Sequence, residues 1–339
     1  MKRLYLMAVA TFMSVAAWAQ NIAVVSPGNS TSIYQTLDDA IAGAAPGSTI
    51  YLPGGGFQIS DATQIDKKLT IMGVSHRGDT DNVDGATVIS GNLNYAKGSS
   101  GSAVLGVYVS GNINVGTEAD SVLNLTVRYC NANSIQVRHR QSSGMVVNQC
   151  YLRNPSNFAY CNVRLENNIV HSLGYISGGV INHNVITSRG WFTGIGPTDR
   201  YGSYYCNYSL GGVNASFITN NFILQEPANY YSAHNGSECQ ISNNCINPGS
   251  WGNDPIVLDD GITWDDVFYE NKGVSIYSDY RLKGSWGKNA ATDGTNIGIY
   301  GNIAYKKDYA PIPRIVSKKV DEQTDGSGKL KVEVKVKAN

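Results

Sequence analysis

The sequence predicts an all-β solenoid with both ends covered, and three observations lead there. An Asn-bearing hexapeptide recurs through the second half of the chain, a single helical pattern stands near the N-terminus, and two alternating runs stand at the C-terminus.

Taken in order, Met1-Lys2-Arg3 precedes an apolar run over 4–15 and the small-x-small site Ala17-Trp18-Ala19. A basic start, a short apolar core and small residues at the end describe a secretory signal peptide over 1–19, so the mature chain is expected outside the cytoplasm, secreted, periplasmic or on the cell surface. The run is too short to span a membrane, and no later stretch reaches the roughly 18 apolar residues that a spanning helix needs. Next, Ser32-Ile33-Tyr34-Gln35 has the form of a capping box, and Ile33, Leu37, Ala40, Ile41 and Ala44 follow at helical spacing. A short amphipathic helix near 32–44 is expected, stopped by Pro46-Gly47. Extended runs follow at Thr49-Ile50-Tyr51-Leu52 and Leu69-Thr70-Ile71-Met72, and no further helix is expected.

The repeat reads Leu165-Glu166-Asn167-Asn168-Ile169-Val170, Ile181-Asn182-His183-Asn184-Val185-Ile186, Ile218-Thr219-Asn220-Asn221-Phe222-Ile223 and Ile241-Ser242-Asn243-Asn244-Cys245-Ile246. Degenerate copies begin at Val122, Val147 and Ile299. Copies lie roughly 16 to 25 residues apart, with a gap of about two coils around an insertion over 196–212, which is the spacing of stacked solenoid coils. Stacking places each strand about 4.8 Å above the last and aligns one Asn with the next. An amide carries both donors and acceptor, so a column of them satisfies itself where a lone buried Asn would cost about 1 to 3 kcal/mol.

The helix pattern, Ala45-Pro46-Gly47-Ser48-Thr49-Ile50-Tyr51-Leu52-Pro53-Gly54-Gly55 and the Asn-Asn coils together resemble the right-handed parallel β-helix proteins of the pectate-lyase-like superfamily. The resemblance covers about residues 30–305 and implies a helix over the open N-terminal end, with the β-helix occupying 20–305. It does not imply one reaction, because that solenoid carries lyases, hydrolases and adhesins. Polygalacturonase-like enzymes pair Asp-Asp with Gly-His-Gly and a later Arg-x-Lys. This chain has Asp259-Asp260 and Arg281-Leu282-Lys283 but no Gly-His-Gly, and the pectate-lyase Arg-x-Pro-x-x-Arg element is missing. After Pro311-Ile312-Pro313, the run Lys329-Leu330-Lys331-Val332-Glu333-Val334-Lys335-Val336 alternates strictly. With 315–320 it predicts a β-hairpin over 306–339 whose apolar face covers the last coil.

Function classes narrow on charge. Lys+Arg and Asp+Glu both number 26 among 339 residues and charged residues make up 15%, which argues against a nucleic-acid binder. A surface rich in Tyr and Asn suits sugar-like partners. The neutral total hides a basic stretch before Gly190 and an acidic one from Glu226 to Glu270. Within the basic stretch, Arg128, Arg153 and His171 are expected to stack in one column with Thr187, and either that column or Arg138, His139 and Arg140 could neutralise a uronate and remove a proton. Within the acidic one, Asp259 and Asp260 could supply paired carboxylates, and Asp265 and Asp266 could hold Ca2+. Trp264, with Trp251 and Tyr269, could stack a sugar ring, and His234 is a binding candidate in a long loop. Set against each role is a bland one: a solvated basic face, a solvated turn. The six cysteines leave free thiols and bridges equally open.

The expectation is therefore an exported monomer with no membrane span and no nucleic-acid partner. It binds, and in one version cleaves, an acidic polysaccharide along a side groove; the alternative is a non-catalytic surface or adhesive solenoid.

Overall fold

A computed structural model describes residues 21–77, 85–188, 190–192, 206–208, 210–224, 238–246, 252–270, 278–303, 305, 314–320, 323, 327–329 and 331–337. The signal-peptide segment, His234 and Trp251 lie outside these residues. Strand dominates, with three long sheets of eleven, nine and six strands, here sheets A, B and C. The chain visits them in rotation. Thr126–Arg128 lies in A, Asn131–Ala132 in B and Ile135–Val137 in C. The next pass returns to A at Met145–Asn148, parallel to Thr126–Arg128 with Thr126 opposite Val146. Such stacked passes are compatible with a β-helix solenoid.

Alternation along these short strands decides the interior. Ile50, Ile71, Val104, Val127, Val147, Leu165, Ile181 and Ile218 pair in succession along sheet A, and all are fully buried. Each such side chain contributes about 1.5 to 3 kcal/mol by leaving water, and each needs the coil above and below to do so.

The corner between A and B repeats one backbone device. Gly106, Tyr129, Gln149, Asn167, His183, Asn220 and Asn243 hold φ between 53° and 66°, and the next residue points inward. Those inward residues are Val107, Cys130, Cys150, Asn168, Asn184, Asn221 and Asn244, all buried. The expected amide column is present. Nδ2 of Asn168, Asn184 and Asn221 donates to Oδ1 of the next Asn at 2.9, 3.0 and 2.9 Å. Each also donates to a carbonyl of the preceding coil, as Asn184 does to Leu165 O at 2.9 Å. Below Asn168 the column continues in thiols, since Cys150 and Cys130 donate to the carbonyls of Val127 and Val104. Cys130, Cys150, Cys161, Cys239 and Cys245 are all unbridged, and burial pushes the Cys161 and Cys245 thiols up to about 12.

Several expectations need correction. The helix is Leu37–Gly43 with Thr36 as N-cap, whose hydroxyl accepts from Asp39 N at 3.1 Å. Ser32 to Tyr34 instead belong to the strand Thr31–Tyr34, antiparallel to Ile22–Val25, because sheet pairing outcompetes a local cap. The copy at Val147 is a true coil, but the coil before it is carried by Val127 to Ala132 rather than by Val122. The insertion does not span two coils. Val185 pairs directly with Phe222, so 187–221 belongs to one long pass, within which Gly190–Phe192 and Cys206–Tyr208 form an antiparallel pair.

The stacked strands end at Cys245–Ile246, with isolated bridges to Asn253 and Ile256. The described residues of 258–303, Ile299 included, do not pair into these three sheets. They fold back along the outer face of sheet B, where Tyr151, Ile169, Val185, Phe222 and Cys245 form a second core with Leu258, Val267, Phe268, Tyr280, Leu282, Ile297 and Ile299. A short helix, Trp264–Val267, sits in this strap. Gly298, at φ 77°, comes so close that a Cβ would lie 2.7 Å from the Phe222 ring. The strap also reads the corner: Asn167 Nδ2 donates to Ile303 O at 2.9 Å, and Asn220 Nδ2 to Thr292 Oγ1 at 2.9 Å. The C-terminal hairpin forms from Arg314–Val320 and Val332–Lys337. Val320, Val332 and Val334 remain exposed, however, so this stripe does not plug the last coil.

His76 is buried behind the same corner, where its Nδ1 donates to Tyr129 O at 2.8 Å. Burial drives its pKa down to about 4, against the pull of that bond and with help from Arg77. Its folded pKa lies below the unfolded one, so the stability it permits is complete above about 6.5 and is lost as pH falls toward 4. We expect denaturant unfolding at pH 4.5 to show a loss on the order of 3 kcal/mol from this group, and His76→Gln to flatten that part of the pH profile. An unchanged profile in His76→Gln would place the acid sensitivity elsewhere.

Candidate functional site

The three-residue strands of sheet C read apolar, amide, apolar: Leu93-Asn94-Tyr95, Ile113-Asn114-Val115 and Ile135-Gln136-Val137. The apolar residues face the core, so the amides share the outer face in one column, with Asn114 opposite both Asn94 and Gln136. Asn114 Nδ2 donates to Asn94 Oδ1 at 2.8 Å, and Asn94 Nδ2 to the carbonyls of Asp61 and Thr63 at 3.1 and 3.3 Å. Among the described residues, nothing donates to Asn114 Oδ1, although it is enclosed.

Two or three residues back along the chain, at the corner between B and C, a second amide row runs parallel to the first. Asn92 Nδ2 donates to Asp61 Oδ1 at 3.0 Å, Asn92 Oδ1 accepts from Asn112 N at 2.8 Å, and Asn112 Oδ1 accepts from Asn133 Nδ2 at 2.8 Å. Asn154 extends the row by donating to Asn133.

Beside the first row opens a cleft of about 270 Å³ lined by Gln64, Asn94, Tyr95, Asn114, Gly116, Thr117, Glu118 and Arg138. Arg138 follows the strand Ile135–Val137 and is anchored through its backbone N to Val115 O at 2.9 Å. Its side chain is exposed, and its guanidinium has no hydrogen bond or ion pair among the described residues. Glu118 enters from the turn in which Thr117 N donates to Asp120 O at 2.9 Å. An exposed cation, one carboxylate and neutral amides thus face one space. Sugar hydroxyls match the amides, and a carboxylate matches the guanidinium in bidentate geometry.

The other expected residues lie elsewhere. Arg153, His171 and Thr187 do stack, each donating its backbone N–H to the coil below, at Ala132 O, Leu152 O and Val170 O. Arg128 is not in that column: it ends a strand of sheet A opposite Asn148. Its Nη2 reaches Tyr129 Oη and Asn148 Oδ1, both at 3.5 Å. Nor is the column a reactive stripe. Arg153 donates to the hydroxyl of Tyr108 and to the carbonyls of Val109 and Ser110 at 2.9 and 3.0 Å, with its guanidinium 4.7 Å from the Tyr108 ring centre. It clamps neighbouring coils. His171 bonds Ser172 Oγ at 3.0 Å and burial lowers its pKa. Arg140 lies over the Tyr160 ring at 5.4 Å.

In the strap, Trp264 is half-buried, stacks on Phe268 at 5.8 Å and donates Nε1–H to Leu224 O at 2.9 Å, so its ring is engaged by the protein rather than presented to a sugar. Asp266 accepts from Thr263 N and Oγ1 at 2.9 and 2.8 Å, and those bonds hold its carboxyl below the usual range. Asp266 is thus a helix-capping residue, and among the described residues no three His, Cys, Asp or Glu side chains gather in metal-binding geometry. Asp259 and Asp260 sit exposed on a turn closed by Ile262 N to Asp259 O at 3.0 Å. Among the described residues, no helix is long and apolar enough to cross a membrane.

Gln64, Asn94, Asn114 and Glu118 escaped the sequence reading, which followed the corner repeat. The apolar-amide-apolar triplets, spaced one coil apart, are the signal that finds the two Asn. Comparison with protein-family models, curated proteins and solved structures returned no match.

Proposed function

We propose that the chain is an exported right-handed parallel β-helix of the pectate-lyase-like kind that binds an acidic polysaccharide along the outer face of sheet C, with Arg138 gripping a carboxylate. The observation that carries this is the unpaired Arg138 guanidinium in a cleft whose other side chains are mostly amides, hydroxyls and a lone carboxylate. Rotation through three sheets, an internal amide column and an N-terminal helix support the architectural part. Binding, rather than cleavage, fits the cleft: Glu118 is its single carboxylate, short of the pair that glycoside hydrolysis uses, and no imidazole lines it.

The second reading, a non-catalytic surface or adhesive solenoid, draws support from Arg153, Trp264 and Asp266, whose polar groups are spent on the fold. A glycan array separates the two. Carboxylated polymers are expected to be retained, with Arg138→Ala weakening them about ten-fold, as expected for loss of a charge-assisted contact, and Arg138→Lys restoring part of it. Unsaturated-uronate absorbance on the same polymers reads out cleavage. Retention of no carboxylated glycan would leave the adhesive reading standing.

A further inference from the structure

Resting on the binding proposal above, we infer that the ligand is a heteroglycan with isolated carboxylates on a mainly neutral chain, not a polymer charged at every sugar. A polyuronate laid along the solenoid would present a negative group at each coil step and would need a cation to meet each one. Sheet C does not supply them. Arg138 stacks above Gly116, and Gly116, whose N donates to Tyr95 O at 2.8 Å, stacks above Ala96; beneath that, where Ile65 bridges Tyr95, the column continues with Asp66, so the coils beneath Arg138 place no cation in its column. The parallel columns are the neutral amides Asn94, Asn114 and Gln136, and Asn92, Asn112 and Asn133.

Nearby cations already have partners within the fold, a carboxylate for Arg164 and Lys97 and neutral groups for Arg153 and Arg140. Arg153 is held by carbonyls, Arg140 lies on Tyr160, Arg164 pairs with Glu166 at 2.7 Å, and Lys97 faces Asp120 at 3.9 Å. Glu118 then acts against a second carboxylate: it lines the same cleft as Arg138 with no ion pair between them, so its charge is directed at whatever occupies the space. One guanidinium selects a carboxylate, one carboxylate rejects its neighbour, and the amides take the hydroxyls between.

The test compares immobilised glucuronoxylan, polygalacturonate and neutral xylan with the full-length protein. Glucuronoxylan is expected to bind most tightly, and Glu118→Gln to shift the affinity ratio toward polygalacturonate by roughly five-fold, the size of one like-charge contact at a solvated surface. A matching melting curve for the variant keeps folding out of the comparison. Polygalacturonate binding as tightly as glucuronoxylan, or a ratio unmoved by Glu118→Gln, overturns the inference while leaving the acidic-polysaccharide proposal intact. Binding to neither acidic polymer overturns that proposal itself.

Discussion

Replacing Asn184 by Ala is expected to cost about 4 kcal/mol in urea-induced unfolding. The side chain donates to Leu165 O and Asn221 Oδ1 at 2.9 and 3.0 Å and accepts from Asn168 N and Nδ2, both at 2.9 Å. Leu165 O and Asn221 Oδ1 are acceptors with spare lone pairs, and Asn221 Oδ1 keeps the bond from Asn184 N at 2.8 Å. The two Asn168 donors are the expensive losses. Both are fully buried; the Asn168 backbone N–H is left without an acceptor and its Nδ2 keeps only the bond to Val147 O at 3.0 Å, and each orphaned N–H costs about 1 to 3 kcal/mol beyond the small cavity left behind. Asn154→Ala is the control. It removes an amide from the exposed corner row, where water replaces the lost bond, and should stay within about 0.5 kcal/mol. Equal losses in the two variants would mean that the internal amides do not hold the coils together.

The second large effect lies outside the interior of the stacked strands. Phe268 is fully buried, with ring centres of Phe222, Tyr280 and Trp264 at 4.9, 5.3 and 5.8 Å. Phe268→Ala should remove about 3 to 5 kcal/mol from the attachment of the strap, the usual range for an aromatic truncated in a packed core. The coils below have their own core, so the loss should appear as release of the strap and not as collapse of the molecule. Limited proteolysis is expected to cut Phe268→Ala within 258–305 while the β signal in circular dichroism persists. Simultaneous loss of both would show that strap and coils unfold as one unit.

What could be read in advance follows the range of each interaction. Asn168, Asn184, Asn221 and Asn244 were legible because the corner imposes one chemical demand at each pass and Asn meets it in consecutive coils. Cys130 and Cys150 occupy the same column, but a thiol meets the demand by donating to a carbonyl and leaves no recurrent letter. The capping box at Ser32 and the copy at Ile299 misled for a shared reason: a short pattern records a local preference, and sheet pairing in one case and a covering role in the other overrode it. Arg138 and Arg153 show the limit at the site. Both are arginines following apolar strands, yet Arg153 is consumed by Tyr108, a residue 45 positions earlier, while Arg138 faces open space.

By itself, the sequence determined that this chain would stack strands around a buried amide column, because that outcome depends on residue types recurring at coil spacing. The tertiary structure alone decided where the coils stop, what covers sheet B and which charged groups remain free. Those outcomes depend on contacts between distant segments, and hydrogen-bonding capacity already spent within the fold cannot be offered to a ligand.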